Sequence, residues 1–453
     1  MVNLNVLAES LSSDFEYYNI VLLKKEEAID IIIYICKTCL DYMLENILEL
    51  SYQDIPKDIY TNIYELYQIQ LEDIWESYSL DNDKEKTLDN LNNDIFNCIL
   101  ISNNIIQRFY IPVRSYKKSF IRVSQSNVKK NQIENKIKFL KSIPQPDQRT
   151  EEWYKFRHTT LTASSIWKVF YSESSQNQLI YEKCKPLVLH SSNYTNIETP
   201  FHWGQKYEPL SVLYYEYVYG TKVDDFGCIP HGTYPYIAAS PDGINCYRDS
   251  ERYGRMLEIK NIVNRDITGI PKMEYWIQMQ IQMETCDLNE CDFLETRFIE
   301  YDSKDDFIND KHFDNNNTVG INDNNIRTYR GCILHFEGET GPIYEYHEFG
   351  LTVEEIYKWE QNTMLRYPEC SWVQTLYWKL SEISCILVLR NKLWFKFAQP
   401  YIELLWNIIE KEKNEDYSHR APKKRAKIEK SKSDVFDNCD NDTTISKCLL
   451  KLD

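Results

Sequence analysis

The spacing of apolar residues changes at the Pro-Gln-Pro step of residues 144–146, and this change divides the chain into two kinds of structure. Before the step, apolar residues recur every three to four positions, as in 28–34 and 63–67, which is the period of an amphipathic helix. After the step, short apolar runs alternate with helical stretches. The pattern therefore predicts a helical N-terminal region followed by an α/β core.

The order of the expected elements gives a domain plan. We predict helices over 205–219, 275–285, 352–365 and 391–411, strands over 223–229, 236–240, 256–262 and 291–301, and a hairpin of 330–336 with 343–349. The plan consists of an acidic helical region (1–112), a basic linker or arm (113–147), an α/β domain (148–411) with a surface insertion (302–326), and a disordered polar tail with a basic cluster (412–453).

Charge is distributed unevenly along the chain. The 52 basic and 69 acidic residues give a net charge of −17, which argues against a protein that coats nucleic acid without specificity. Residues 1–112 hold 20 acidic and 7 basic residues, whereas 114–141 hold nine basic residues and one acid, Glu134. A locally basic surface is therefore compatible with the acidic total. The basic stretch is either a DNA-contacting arm or a solvated helix face or linker.

Several residue types are too scarce or too scattered for common classes of site. The chain has 12 Gly and contains neither G-x-G-x-x-G nor G-x-x-x-x-G-K-[ST], which disfavours dinucleotide and P-loop sites. Among 13 Cys, Cys36 and Cys39 form an isolated C-x-x-C in an apolar run, so we expect reduced core thiols rather than zinc ligands. The stretch 28–44 is too short and too charged to span a bilayer.

The sharpest chemical pattern combines Asp242, in Ser-Pro-Asp-Gly, with Glu258 and Lys260 in a predicted strand. Carboxylate oxygens bind hard cations such as Mg²⁺, and a bound metal polarises a phosphate and activates water. Lys260 lies two residues after Glu258 and so points to the same face of the strand, where it can offset charge in a transition state. The alternative is a turn Asp followed by a strand with an exposed Glu and Lys.

Neighbouring blocks make the pattern more specific. Trp-Tyr-Lys-Phe-Arg at 153–157 precedes Leu-Thr-Ala-Ser at 161–164, Trp-Gly-Gln-Lys-Tyr-Glu follows at 203–208, and Tyr-Trp-Ile-Gln-Met-Gln follows the lysine at 275–280. This ordered set resembles the phage-type alkaline exonucleases and YqaJ-like viral recombinases of large DNA viruses, a branch of the PD-(D/E)xK nuclease superfamily. The resemblance implies a restriction-endonuclease-like core with a mixed central sheet flanked by helices.

The resemblance also implies roles for single residues. Asp242 and Glu258 match metal-ligating acids, Lys260 matches a catalytic lysine, Glu208 matches a further metal-binding acid on a helix, and Gln278 matches a helical Gln that orients the active-site water or lysine. A third carboxylate is chemically sound because it allows two metals to clamp the attacking and leaving oxygens. The alternatives are an exposed helix Glu for Glu208 and the polar face of an amphipathic helix for Gln278.

Arg157 and Ser164 match residues that bind the terminal 5′-phosphate of a DNA end in such nucleases. Arg forms bidentate bonds with phosphate, and Ser at a helix start adds a hydroxyl and backbone donors. Trp153 is expected to pack rather than to take part in chemistry. The stretch 244–257, which contains three Arg, is longer than the corresponding hairpin of compact relatives.

Together these features predict a Mg²⁺-dependent deoxyribonuclease, with Mn²⁺ as a substitute metal, that acts as a 5′→3′ exonuclease on double-stranded DNA ends in viral recombination or genome processing. The alternatives are an endonuclease or RNA-acting nuclease on the same site, or a catalytically idle DNA-end-binding protein. Expected partners are duplex DNA, a single-strand-annealing recombinase and further copies of the chain, without a membrane. The basic cluster at 422–427 predicts import into the host nucleus, as against a location in a cytoplasmic viral factory.

Overall fold

The computed structural model describes residues 20–48, 65, 84–122, 124–188, 199–314, 316–338 and 341–422. Its helices are α1 (Lys25–Glu45), α2 (Lys84–Phe109), α3 (Asn127–Ser142), α4 (Glu151–His158), α5 (Ala163–Ile166), α6 (Glu173–Cys184), α7 (Pro200–Tyr219), α8 (Met273–Thr285), α9 (Lys304–Ile308), α10 (Val353–Arg366) and α11 (Lys392–Asn414), with 3₁₀ turns at Trp167–Phe170 and Ser418–Arg420. No helix in these ranges is both long and apolar enough to cross a membrane.

Eleven strands are present in the same ranges. They are β1 (Leu161–Thr162), β2 (Val223–Asp224), β3 (Ile229–Pro230), β4 (Ile237–Ala239), β5 (Gly243–Asn245), β6 (Met256–Asn261), β7 (Glu290–Glu300), β8 (Val319–Ile321), β9 (Arg327–Gly338), β10 (Gly341–Tyr346) and β11 (Ser371–Leu389). A small sheet has the order β1-β4-β3, and an eight-stranded sheet has the order β10-β9-β11-β7-β6-β5-β2, with β8 pairing to β9.

The large sheet is mixed because one of its pairs is parallel. Strands β6 and β7 run parallel, with Glu258 opposite Phe293, and helix α8 connects them. A parallel pair needs a crossover of this kind, since a tight turn can join only antiparallel strands. The chain thus has the predicted mixed α/β architecture of helices around a mixed sheet.

Alternation along β6 and β7 gives the sheet two separate apolar faces. Met256 and Phe293 belong to a core that contains α8 residues such as Trp276, while Leu257 and Leu294 belong to a core built against α7. Residues two apart share a face of a strand. Glu258 and Lys260 therefore lie on the same side as α8.

Several elements differ from their predicted form. The predicted strand 223–229 is two short strands, β2 and β3, and the insertion 302–326 contains α9 and β8, where β8 adds to the edge of β9. The 19-residue strand β11 was not predicted. Its first half, which includes Trp372 at 52% exposure, lies at the surface, so its pattern does not alternate cleanly.

Residues 113–147, predicted as a basic linker or arm, contact the central sheet of the α/β domain. Tyr116 N and Ser119 N donate to Leu387 O and Cys385 O at the edge of β11, at 2.9 and 3.0 Å. Helix α3 continues the attachment through ion pairs such as Lys136–Asp287 at 2.7 Å.

Ordered structure also extends past the predicted tail boundary at residue 412. Helix α11 runs to Asn414, and the 3₁₀ turn that follows is held by Arg420, whose guanidinium bonds Glu412 and Asn177. A paired guanidinium fixes this segment against α6 and α11. The basic cluster lies almost wholly outside the described residues.

A buried ionic network joins four parts of the fold at Asp292 on β7. Asp292 has no exposed surface and accepts bonds from Arg252, from Arg255 at 3.1 Å and from the Tyr215 hydroxyl of α7 at 2.6 Å. Ser119 of the basic segment donates to the same carboxylate at 2.5 Å. The long hairpin between β5 and β6 is therefore a structural element that carries the two arginines to β7.

We predict that Asp292→Asn lowers the free energy of unfolding by about 3 kcal/mol or more, because two buried guanidinium groups lose their shared counter-charge. Denaturant unfolding followed by circular dichroism measures the change. Lys138→Gln is the matched control, since Lys138 forms a solvent-exposed pair with Glu134 and its loss should leave the midpoint unchanged. Equal stability of Asp292→Asn and wild type would contradict the role given to the network.

Candidate active site

Strand pairing brings Asp242 next to the Glu258–Lys260 segment. Asp242 immediately precedes β5, whose Gly243 lies opposite Leu257 of β6. Asp242 Oδ2 accepts a hydrogen bond of 2.7 Å from Ile259 N, the residue between Glu258 and Lys260. The aspartate is therefore fixed to the strand that carries the other two groups.

Gly243 allows this close approach. A Cβ atom at this position would lie 2.1 Å from Val223 Cγ1 of β2. Only a residue without a side chain fits between the two strands without a shift. Asp242 thus places a carboxylate at the site, and Gly243, which follows it, allows β5 to pack closely against Val223 of β2.

Glu258 is held on both of its oxygens. It has no exposed surface, and Lys260 Nζ lies 2.5 Å from Oε1 while Gln282 Nε2 donates to Oε2 at 2.7 Å. Gln282 also donates to Ser240 O at 3.3 Å, and its Oε1 atom is buried without a partner among the described residues. The Glu258 carboxylate thus has one cation beside it, Lys260. The adjacent Gln282 Oε1 atom is a hydrogen-bond acceptor that receives no bond from a described residue.

Sequence reasoning selected Gln278, but the structure places Gln282 against Glu258. Tyr275, Gln278 and Gln282 share one stripe of α8, because residues three and four apart lie on the same face of a helix. Lys260 Nζ lies 5.0 Å from the Tyr275 ring centre, so the start of α8 is level with Lys260 and the later turns are level with Glu258. Gln278 makes no hydrogen bond to Glu258 or Lys260 in the described part of the chain.

The electrostatics of the site show an excess of negative charge. Burial, followed by the neighbouring Glu258 and Glu208 carboxylates, raises the pKa of Asp242 well above its ordinary value. Burial alone would lower the pKa of Lys260, but Glu258 and Asp242 outweigh it and raise that pKa above its ordinary value. Lys260 therefore carries its charge at neutral pH, and a further cation at this site would be stabilised.

Glu208 lies near the other acids but is paired elsewhere. Arg149 Nη2 donates to Glu208 Oε2 at 2.9 Å, and burial raises the pKa of Glu208 despite this partner. The described residues contain no group of three or more His, Cys, Asp or Glu arranged to hold a metal ion. The predicted trio Glu208, Asp242 and Glu258 is thus close enough to interact electrostatically without forming such a group.

The donor chemistry nevertheless fits a hard divalent cation. Asp242 and Glu258 supply carboxylate oxygens, which Mg²⁺ prefers. Lys260 is the one cation in contact with either of them among the described ion pairs. Gln282 Oε1 adds an oxygen that receives no hydrogen bond from any described residue.

Arg157 and Ser164, the pair predicted to bind a 5′-phosphate, lie in contact with each other. Arg157 Nη2 donates to Ser164 Oγ at 3.1 Å, and its guanidinium lies over the Trp153 ring, 4.1 Å from the ring centre. Trp153 Nε1 donates in turn to Ser240 Oγ at 3.2 Å, two residues before Asp242. Trp153 thus links the arginine to the turn that carries Asp242, beyond its expected packing role.

Lys183 of α6 is a second cation at this position that sequence reasoning missed. Its Nζ donates to Arg157 O at 2.6 Å, and it has no carboxylate partner among the described ion pairs. Burial, followed by the nearby Arg157 charge, lowers the pKa of Lys183 to about 7. No local sequence signal marks Lys183, because its contact joins residues 26 positions apart.

Comparisons with known proteins found a matching family and a viral relative. Residues 152–289 match the model of the YqaJ-like viral recombinase domain family. An uncharacterized protein of Acanthamoeba polyphaga mimivirus is 28% identical over 308 residues, which cover 60% of this chain and 54% of that protein. The chain therefore spans about half the length of this curated relative.

Two solved structures were also compared. The crystal structure of an alkaline exonuclease (LHK-Exo) from Laribacter hongkongensis has 17% identity and a TM-score of 0.33, and the match covers 58% of this chain and 94% of that one. The structure of LHK-Exo in complex with dAMP gives 18% identity, the same TM-score and the same coverage.

The family match begins at Glu152 and ends at Asn289, so it includes α4 with Arg157, the Asp242 turn, β6 and all of α8. These are the elements whose side chains meet at the site. The match confirms the resemblance carried by the sequence motifs. Residues 152–289 of the chain are thus similar to the YqaJ-like viral recombinase domain family.

Proposed function

We propose that this protein is a Mg²⁺-dependent deoxyribonuclease that degrades double-stranded DNA from its ends in the 5′→3′ direction. The observation that carries the proposal is the bond from Ile259 N to Asp242, which fixes one carboxylate beside Glu258 and Lys260. A protein without catalytic activity has no chemical reason to keep two buried acids that share a single cation at this point. The family match to a viral recombinase domain supports a role in viral recombination or genome processing.

Asp242 and Glu258 would hold the metal. The nearby Glu208 carboxylate would add to the negative electrostatic potential at the metal position. A bound divalent cation would supply a Lewis acid and lower the pKa of a water nucleophile. Lys260, charged at neutral pH, would stabilise negative charge on the phosphate oxygens as the bond breaks. Gln282 would keep the Glu258 carboxylate in place by donating to its second oxygen.

Direction would come from the Arg157 and Ser164 pair. A terminal 5′-phosphate carries more charge than an internal phosphodiester, and a guanidinium recognises it by several charge-assisted bonds. Arg157 is half-buried and has no carboxylate partner among the described ion pairs, so its charge is available to a ligand. Lys183 would position the arginine through its bond to Arg157 O.

We also propose partners and a location for this protein. We expect duplex DNA with free ends as the substrate, a single-strand-annealing recombinase as a partner, and assembly with further copies of the chain. Mn²⁺ would replace Mg²⁺. Nuclear import through residues 422–427 stays a prediction, since 423–427 lie outside the described residues.

We predict that Asp242→Asn, Glu258→Gln and Lys260→Ala each abolish cleavage of linear duplex DNA in Mg²⁺ while leaving the fold intact. The losses should not add in double variants, because the groups act as one unit. The measurement is digestion of linear duplex with Mg²⁺ and with EDTA. Glu251→Gln is the control, since Glu251 is an exposed acid of the hairpin between β5 and β6 and forms no ion pair with any described residue. Near-wild-type activity in any of the three variants would refute the assignment.

A second prediction separates the two glutamines of α8. Gln282→Leu should slow cleavage about tenfold or more and raise the Mg²⁺ concentration needed for half-maximal rate, because Glu258 loses a hydrogen bond to a buried charge. Gln278→Leu, one turn earlier on the same stripe, is the matched variant and should have a much smaller effect. Steady-state rates over a Mg²⁺ series give both values. The opposite ranking would restore Gln278 to the role predicted from the sequence.

A third prediction concerns the DNA end. Arg157→Ala should slow digestion of 5′-phosphorylated duplex at least tenfold, about 1.4 kcal/mol, and affect 5′-hydroxyl duplex much less. Arg157→Lys should not restore the full rate, since lysine lacks the planar fork. Lys155→Gln, an exposed cation of the same helix paired with Glu151, serves as the control. An equal loss on both substrates would favour an endonuclease, and cleavage of RNA in place of DNA would shift the substrate class.

A further inference from the structure

Two groups of three stand out among the nine cations of the basic segment. Lys136, Lys138 and Lys141 form ion pairs with Asp287, Glu134 and Asp224, respectively, which neutralise their charges. Lys117, Lys118 and Arg122 are exposed and form no ion pair with any described residue. The aromatic ring of Phe120, 42% exposed, lies among the unpaired cations. We call Lys117, Lys118, Phe120 and Arg122 the basic strip.

The backbone of the basic strip is fixed to the sheet. Tyr116 N and Ser119 N bond to the open edge of β11, Ser119 Oγ donates to the buried Asp292, and Phe120 O accepts from Arg255 at 3.0 Å. A cation on a fixed backbone loses less conformational entropy on binding than one on a free chain. The strip therefore presents its charges from a rigid support.

Strand register places the strip level with the active site. Cys385 and Leu387 of β11, which the strip contacts, lie opposite Leu294 and Asp292 of β7. These β7 residues lie opposite Ile259 and Leu257 of β6. Three strand spacings separate the strip from β6, which is about 14 Å. Within the plane of the sheet, the separation between the strip and the strand of Glu258 is thus close to the ~12 Å width of a DNA major groove.

The two residues that precede Tyr116 contact a loop that leads to the site. Ser115 Oγ donates to Gly269 O at 3.3 Å and Arg114 Nη1 donates to Pro271 O at 3.4 Å. Both acceptors belong to the loop that leaves β6 after Lys260 and enters α8 before Tyr275. A duplex at Lys260 would therefore extend past this loop to the strip.

We infer that the basic strip binds the phosphate backbone of duplex DNA across a groove from the bond to be cleaved. Five residue steps from Lys117 to Arg122 span at most about 17 Å, which matches a few successive phosphates. Such contacts position DNA without reading its sequence. The inference rests on the proposed nuclease function, which supplies the duplex. It also explains how a chain with a net charge of −17 holds a polyanion.

The test compares two triple variants that remove the same number of charges from the same segment. The strip variant is Lys117→Gln, Lys118→Gln, Arg122→Gln, and the matched control is Lys136→Gln, Lys138→Gln, Lys141→Gln. Affinity for a short fluorescent duplex is measured by anisotropy in EDTA between about 50 and 200 mM salt. Thermal unfolding of both variants checks the fold, and the single variants Lys118→Gln and Lys138→Gln replace the triples if either unfolds.

We expect the strip variant to lose about tenfold or more in affinity and to lower the salt slope by about 2 to 3, since each phosphate contact contributes about 0.9. The control should keep the wild-type slope and affinity within about threefold. Equal behaviour of the two variants, or a wild type that does not bind duplex, overturns the inference. Loss of binding in the strip variant with no Mg²⁺-dependent cleavage by wild type would uphold the strip and reject the nuclease.

Discussion

Two neighbouring strands, β6 and β7, bury carboxylates on opposite faces of the central sheet, and the rest of the structure is arranged around the way in which each charge is neutralised. On the face under α7, Asp292 receives two arginines of the long hairpin and the Tyr215 hydroxyl. A buried charge without partners costs several kcal/mol. These bonds therefore tie the hairpin, β7, α7 and the basic segment into one unit.

On the face under α8, the negative charges outnumber the positive ones. Asp242 and Glu258 share one cation, Lys260, and burial together with the neighbouring acids raises the pKa of Asp242 well above its ordinary value. A fully compensated cluster serves stability, whereas an undercompensated one favours the binding of a further cation and then of a phosphate. The same pair of strands thus separates a fully paired charge cluster around Asp292 from a cluster around Glu258 with excess negative charge.

The local parts of this arrangement could be read from the sequence. Strand β6, helix α8 and strand β7 lie within a few residues of their predicted bounds, and the hairpin of β9 and β10 pairs around Gly338 and Gly341 as predicted. Strand β11 escaped prediction because half of it is exposed and its pattern is irregular. The sequence leaves the basic segment open as a linker or an arm, because its attachment depends on contacts with β11 and Asp292, far along the chain.

The sequence by itself determined that Glu258 and Lys260 share one face of a strand, because the alternation of side chains along a strand is a local property. It also paired Arg157 with Ser164, seven residues away. Only the tertiary structure decided that Gln282 rather than Gln278 holds Glu258, since both lie on one stripe of α8 and the offset of the helix along β6 selects between them. It likewise decided which cations of the basic segment are neutralised, because the acids that pair with them lie at distant positions in the sequence. The fold brings Asp224 and Asp287 to α3. No described acid forms an ion pair with Lys117, Lys118 or Arg122.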